Sequence, residues 1–337
     1  MATAGNRAVW QDASGVPGAV RSAPLPTHDE LDDHKVLVKE PGTRLPVILG
    51  CDVAGTVEAV APGSAAASRF RVGDRVFGFG ANRGFQDYVV LEDKLMAKIP
   101  GDVTYREPVV LGLCIATSAL FLFGEDYLRL DYPKLGLPKK GKSVLIRGGS
   151  SAVGSNAIQL VTAAGYDAIA TCSRSNFDYV RSLGAVQVFD YKDPDVTERV
   201  AAELDKGECA GVFMAAGLKE GNAAAWKVAA ASKQTLKFAS SCYIDDLGEV
   251  PKGVDIKQLQ PGSFKPFPDC WFETIDATFG GYLPEAPAKG AYKEAVDLQR
   301  LIAEKGHEGV KEAINRARGN MKEDREASPV KLVIERP

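Results

Sequence analysis

The stretch Val144-Leu145-Ile146-Arg147-Gly148-Gly149-Ser150-Ser151-Ala152-Val153-Gly154-Ser155-Asn156-Ala157-Ile158-Gln159-Leu160 reads as a buried strand, a turn of glycines and serines, and the opening of a helix. An uninterrupted aliphatic run such as Val144 to Ile146 suits a strand covered on both faces. Gly149 is expected to allow the sharp turn, and Gly154 to let the helix approach the sheet closely. Amides left without partners at the helix start can then bind a pyrophosphate, so the expected ligand is a dinucleotide. Against G-x-G-x-x-G the middle glycine is Ser151. A plain tight βα turn is the alternative reading of this segment taken alone.

Around that stretch, strands and helices alternate. Strand Ser143–Arg147 leads to helix Gly154–Ala164, strand Asp167–Thr171 to helix Phe177–Leu183, and strand Val186–Phe189 to helix Thr197–Leu204, with further strands at Gly211–Met214 and Thr235–Ala239. This order predicts right-handed βαβ units and a parallel sheet with both faces covered, a doubly wound α/β domain. Upstream, from Asn6 to about Pro100, short β-type runs at Lys35–Lys39, Asp52–Val60, Arg75–Phe79 and Gln86–Leu91 predict a small all-β barrel or sandwich. The pattern turns helical between Arg106 and Leu130. In the tail, helices are expected at Tyr292–Glu304 and Gly309–Glu326 and a strand at Val330–Ile334. The expected domains are residues 1–110 (β-rich), 111–275 (doubly wound) and 276–337, a segment returning to the first domain.

A chain of 337 residues is long enough for two cores. Its 41 Lys and Arg against 44 Asp and Glu leave a formal charge of −3, so no general surface for nucleic acid or anionic membrane is implied. No run approaches the roughly 18 apolar residues of a spanning helix, and residues 1–24 contain no apolar signal core. A cytoplasmic protein is expected. Cysteines at 51, 114, 172, 209, 242 and 270 are widely spaced and expected to be reduced, and His28, His34 and His307 lie far from them, so no metal site is expected.

Cofactor choice is read at the end of the second strand, about 20 residues past the glycine turn, where a carboxylate accepts from the ribose 2′-hydroxyl in NAD-binding chains. Here the chain reads Thr171-Cys172-Ser173-Arg174-Ser175-Asn176. Hydroxyls, an amide and a guanidinium, with no repelling carboxylate expected to be adjacent, suit a 2′-phosphate and favour NADPH. The alternative is a solvated loop in which Ser173 and Asn176 cap the helix at Phe177.

Five separated motifs in order then carry a resemblance: Leu49-Gly50-Cys51-Asp52-Val53-Ala54-Gly55-Thr56-Val57; Gly73-Asp74-Arg75-Val76-Phe77-Gly78; Gly84-Phe85-Gln86-Asp87-Tyr88-Val89; the turn from Gly148 to Gly154; and Ser182-Leu183-Gly184-Ala185 before Val188-Phe189-Asp190-Tyr191. Over roughly residues 6 to 305 the chain resembles the medium-chain dehydrogenase/reductase superfamily, and within it the zinc-independent branch that includes fungal trans-acting polyketide enoyl reductases and quinone-oxidoreductase-like proteins. The resemblance implies a GroES-like N-terminal domain, a Rossmann domain and bound NADPH. It implies that Gly149, Ser150, Ser151, Val153 and Gly154 line the pyrophosphate, that Ser173, Arg174 and Asn176 hold the 2′-phosphate, and that Tyr191 lies by the adenosine. Ala216 and Gly217 would pass the ribose and nicotinamide, and the Thr117 hydroxyl would stand beside the nicotinamide as the catalytic candidate. For Thr117 the alternative is a helix hydroxyl bonded to its own backbone; for Tyr191 it is an ordinary strand-end tyrosine. Cys51 stands where zinc-dependent relatives have a ligand histidine, and is read as a small core residue; Asp52 is read as a structural acceptor.

The chain departs from the family where Glu40 runs directly into Pro41-Gly42-Thr43-Arg44-Leu45-Pro46, which shortens the expected substrate floor, and again at Tyr292-Lys293. The implied activity is NADPH-dependent reduction of an activated carbon–carbon double bond, on a free enone or quinone or on a carrier-protein-bound polyketide intermediate, by a monomer or homodimer. The alternative function is a non-redox member of the same fold that cyclises or binds a polyketide.

Overall fold

The computed structural model describes residues 7–10, 19–24, 35–39, 51–80, 84, 86–101, 103–109, 111–216, 219–241, 250–252, 254–258 and 269–293. The chain divides into two compact units. The first contains the described residues through Ala116 and residues 283–288; the second contains Thr117–Tyr282 and Lys289–Lys293.

The first unit holds strands β1 (Arg7–Trp10), β2 (Ala19–Ser22), β3 (Lys35–Lys39) and β4 (Asp52–Val60), helix α1 (Ala65–Arg69), strands β5 (Arg75–Phe79), β6 (Tyr88–Glu92) and β7 (Met96–Lys98), helix α2 (Arg106–Val109) and the start of α3 (Gly112–Phe123). β1 and β2 form an antiparallel pair, and a five-stranded antiparallel sheet runs in the order β6-β3-β4-β5-β7. The two-residue period of a strand turns alternate side chains inward, and Val53, Val57, Val76, Val89, Leu91 and Met96 pack with Ala66 and Phe70 into one core cluster. Arg75, from the Gly-Asp-Arg-Val motif, acts as a clamp. Its guanidinium donates to the carbonyls of Pro100 (3.3 Å), Gly101 (3.0 Å) and Val103, and stacks 4.5 Å over the Tyr105 ring, tying the loop that leads to α2 onto the sheet.

The second unit contains the rest of α3, then β8 (Lys142–Arg147), α4 (Ala152–Ala163), β9 (Asp167–Cys172), α5 (Phe177–Ser182), β10 (Ala185–Asp190), α6 (Val196–Leu204), β11 (Glu208–Met214), α7 (Lys219–Ala231), β12 (Lys237–Ser240), β13 (Asp255–Gln258) and α8 (Asp269–Phe279). All six strands are parallel, in the order β10-β9-β8-β11-β12-β13. Central strands β8 and β11 are aliphatic or aromatic over their inner residues because helices shield the sheet. Leu145, Ile169, Val212 and Met214 join Val200 and Leu204 of α6 and Trp226 of α7 in a continuous core. Trp226 meets Phe238 edge to face at 5.1 Å.

Two polar residues of α4, Asn156 and Gln159, are buried. Each is satisfied by the 289–293 segment: Asn156 accepts from the Tyr292 hydroxyl, while Gln159 accepts from the Lys293 amide (2.6 Å) and donates to the Lys293 carbonyl (2.9 Å). Gln159 thus pairs with the Lys293 backbone much as a neighbouring strand does, and no buried polar group of the pair is left open.

The predicted strands and helices appear with end shifts of a few residues, and α4 begins at Ala152 rather than Gly154. The predicted helical zone from Arg106 to Leu130 is broken between Val109 and Gly112 and ends at Phe123. Short β1, β2 and β7, and α7, β13 and α8, were not legible in the pattern. The division between the units falls inside α3 rather than at residue 110, and the second unit runs on to Tyr282. The shortened floor at residues 40–50, and the tail elements predicted beyond Lys293, lie outside the described residues.

Candidate functional site

In the second unit, strand order runs outward from β8 through β9 to β10 and then resumes on the other side with β11. The connections therefore leave β8 and β11 in opposite directions, and the carboxyl ends of these strands form the topological switch point at which open α/β sheets bind ligands. Arg147 and Gly148 stand at one of those ends, and Met214, Ala215 and Ala216 at the other. The Ala215 amide donates to the Arg147 carbonyl at 3.1 Å, and a Cβ on Gly148 would lie 2.6 Å from that of Ala216. Ala216 is thereby brought onto the glycine turn. Gly217 lies outside the described residues.

The turn itself corrects one expectation. The left-handed residue is Gly148, at φ 79°, and not Gly149. Gly149 is required for space: a Cβ there would meet the Ala170 Cβ at 2.9 Å and the Ile158 Cδ1 at 3.1 Å. Gly154 lets the helix close on the turn, since a Cβ would fall 2.2 Å from the Gly148 carbonyl oxygen. Both Gly148 and Gly149 amides donate to the Thr171 carbonyl, at 3.1 and 2.9 Å, which pins the turn to the end of β9.

Ser151, in place of the middle glycine, is the N-cap of α4: its hydroxyl accepts from the Gly154 amide at 2.9 Å. The first intrahelical bond runs from Ser155 N to the Ser151 carbonyl at 2.8 Å. The first-turn amides of Ala152 and Val153 accordingly have no acceptor within the helix, and they carry the positive end of its dipole. The donor chemistry present suits a diphosphate: two amides at a helix start beside a turn whose glycines leave the backbone bare. Ser150 is half-buried in the same turn.

One strand further out, the residues predicted for the adenosine end come together. The β9–β10 register sets Cys172 beside Asp190, so the residues that follow, Ser173 and Tyr191, emerge level with each other. Their hydroxyls lie 3.0 Å apart. The capping alternative is not what forms: Asn176 stands at the start of α5 without a side-chain cap bond, as does Ser173 at the short 3-10 turn before it. Arg174 is exposed, and its aliphatic stem and guanidinium reach the neighbouring strand end.

Here the expectation that no carboxylate is adjacent is overturned. Arg174 Nη2 donates to Asp193 Oδ1 at 2.8 Å, and its Nε lies 3.5 Å from Asp190 Oδ2. Asp193 also receives Arg199 Nη1 at 3.2 Å. The carboxylates are 16 and 19 positions beyond Arg174 in the chain (190 − 174 and 193 − 174), so adjacency in sequence missed them. The parallel register was the available signal, because it sets the end of β10 against that of β9. Beneath them, burial pushes the Cys172 thiol up to about 11, and the Asp190 charge adds to the effect.

Thr117 stands half-buried on α3. Two contacts hold this helix, one from Asp52, read from the sequence as a structural acceptor, and one from Ser118, which sequence reading did not single out. Asp52 Oδ1 accepts from the Leu113 amide at 2.5 Å, and a Cβ on Gly112 would be 2.9 Å from the same oxygen, so Asp52 is a structural acceptor at the helix start. Ser118, fully buried, donates to the Val153 carbonyl at 2.8 Å. Ser118 thus ties the helix of Thr117 to the first turn of α4, and only its place beside Thr117 in sequence hinted at such a role. Cys51 is half-buried rather than in the core. Among the described residues no group of three or more His, Cys, Asp or Glu is arranged to hold a metal ion, and no helix is long and apolar enough to cross a membrane.

A GroES-like β unit followed by a doubly wound unit with a phosphate cradle at its switch point defines a nucleotide-dependent oxidoreductase fold. Comparison with known proteins agrees. The alcohol dehydrogenase GroES-like domain family matches residues 27–101. The dehydrogenase azaJ of Aspergillus niger is 36% identical over 288 residues, covering 82% of this chain and 80% of its own. The trans-enoyl reductase himH of Aspergillus japonicus is 40% identical over 171 residues, 48% of each chain. Among solved structures, mycobacterial Rv1454c complexed with NADPH superposes with a TM-score of 0.58 at 22% identity, over 86% of this chain and 90% of its own. The chain belongs to the medium-chain dehydrogenase/reductase superfamily.

Proposed function

We propose that the protein is an NADPH-dependent reductase of an activated carbon–carbon double bond, an enone, quinone or enoyl thioester in secondary metabolism. The observation that carries the cofactor half is the cluster of Ser173, Arg174 and Tyr191 at the ends of β9 and β10, one strand from the open amides of Ala152 and Val153. The name of himH supports the enoyl half, and a neighbour of the same fold solved with NADPH supports the nucleotide.

NADPH, when bound, supplies the hydride that reaches the β-carbon. The chain's own residues bind and orient. The Ala152 and Val153 amides hold the diphosphate, Arg174 with Ser173 and Tyr191 holds the 2′-phosphate, and Gly149, Ser150, Ser151 and Gly154 shape the turn around them. Asn176 closes the 2′-phosphate side, and Ala216 borders the path to the nicotinamide. The Thr117 hydroxyl orients the reacting partners, a positioning effect of the kind that lowers the entropic part of the barrier. The α-carbon proton is assigned to water.

The test is to incubate purified protein with NADPH and a panel of enones, quinones and enoyl thioesters while following the reduced-nicotinamide absorbance. Consumption that depends on protein and acceptor is expected. Tight NADPH binding without consumption on any acceptor overturns the reductase reading and leaves the non-redox cyclase or binding protein, which a cyclisation assay on an unsaturated linear polyketide then examines.

A further inference from the structure

The adenosine end is charge-balanced in a way its ligand is not. Three cations, Arg174, Lys192 and Arg199, share this corner with three carboxylates, Asp190, Asp193 and Asp195. Asp193 is the pivot. One of its oxygens takes Arg174 Nη2 at 2.8 Å and the other takes Arg199 Nη1 at 3.2 Å. Its side chain is 23% exposed against 69% for Arg174, so the anion is the better-shielded member of the pair. The Asp193 backbone is also fixed: its amide donates to the Asp190 carbonyl at 3.1 Å, and its own carbonyl accepts from Val196 at the start of α6.

We infer that Asp193 is a specificity-determining residue that opposes NADPH, by occupying the Arg174 donors a 2′-phosphate needs and by placing a like charge beside it. The inference rests on the cofactor reading above and adds its opposing half. A dianionic 2′-phosphate must take Arg174 from Asp193 and then lie near an anion whose remaining partner is Arg199. A 2′-hydroxyl meets neither demand. Arg174 alone therefore overstates the preference for the phosphorylated nucleotide, and the preference is set by competition between a carboxylate already in place and the incoming phosphate. Removing the Asp193 charge at constant shape frees Arg174 Nη2 for the phosphate, while Arg174 Nε keeps its 3.5 Å contact to Asp190 and Arg199 its 3.5 Å contact to Asp195.

The experiment measures dissociation constants by calorimetry for NADPH, NADH, adenosine 2′,5′-bisphosphate and ADP, on the wild-type chain and on Asp193→Asn. The ratio of NADH to NADPH constants is expected to rise about fivefold in the variant, the upper end of what releasing one exposed ion pair contributes, with the bisphosphate tightening by a similar factor and ADP changing less than twofold. Asp193→Ser provides a second, smaller side chain should the amide variant fold poorly, and the same rise is expected. Wild-type binding of NADPH with a ratio unchanged, or moved toward NADH, in both variants overturns the inference while leaving the cofactor reading intact. No heat from either nicotinamide nucleotide in any of the three proteins overturns the cofactor reading and the inference together. The ratio separates this role from a structural one, since a general loosening of the fold weakens both nucleotides alike.

Discussion

Replacing Gly154 by alanine isolates the contact on which the nucleotide cradle depends. The new Cβ would sit 2.2 Å from the Gly148 carbonyl oxygen, 2.9 Å from its carbon and 3.0 Å from the Gly149 Cα, all backbone atoms that cannot rotate away. Restoring an ordinary separation of about 3.4 Å from the present 2.2 Å requires the first turn of α4 to retreat by about 1.2 Å. Overpacking of this kind costs about 1–3 kcal/mol, offset by about 1 kcal/mol from the better helix propensity of alanine. The net change, a loss of about 0–2 kcal/mol, is modest in stability, up to about 8 °C in melting temperature for a domain of this size. Nucleotide affinity is expected to suffer more. The retreat carries the Ala152 and Val153 amides with it, and losing two hydrogen bonds to a charged group, at about 1.5 kcal/mol or more each, weakens binding by about 100-fold. Thermal melts and NADPH titration by calorimetry read the two effects. Gly101→Ala is the control, because nothing lies within 4 Å of a Cβ there. A Gly154→Ala protein that melts and binds as the wild type refutes the claim that helix-to-turn approach builds the cradle.

At Ser151, alanine removes the hydroxyl that accepts from Gly154 N, and a loss of about 1 kcal/mol is expected in urea unfolding, whereas glycine costs only a few tenths; equal losses would show that the cap bond is not what serine contributes. Arg174→Ala should raise the NADPH dissociation constant about fivefold, the value for an exposed charge-assisted contact after solvent screening, and leave NADH within twofold. Parallel losses for both nucleotides would remove Arg174 from the 2′-phosphate. Thiol alkylation of the native protein at pH 8 should label exposed Cys270 and spare Cys172, which is buried and whose thiol is held at about 11 by that burial, so little thiolate exists below that value. Peptide mapping that finds Cys172 modified before unfolding would contradict its placement.

Much of the architecture was legible because period and punctuation act locally. The run Val144 to Ile146, the turn residues after it and the strand-helix alternation through Met214 each express a nearest-neighbour preference, and the parallel sheet follows from their order. Ser173, Arg174 and Tyr191 were also legible as candidates, since they fall at strand ends. The edge of the sheet was not. β13, Asp-Ile-Lys-Gln, alternates with no apolar core of its own and is a strand only because β12 supplies its partner. α7 and α8 are rich in alanine or in mixed polar residues, and their faces are fixed by what they cover.

Which residues meet was decided by tertiary structure alone. Sequence determined that a dinucleotide-type turn exists and which side chains stand near its ends, because backbone propensity and apolar period are carried within about ten residues. Only the folded sheet decided that Gly148 and not Gly149 takes the left-handed turn, that Ser118 holds Val153, and that Asp193 reaches Arg174. The physical reason is register. Parallel strands joined through a helix set Arg174 beside carboxylates 16 and 19 positions away (190 − 174 and 193 − 174), helix packing brings Ser118 to Val153, and hydrogen bonds and ion pairs depend on distances of a few ångströms that no local pattern encodes.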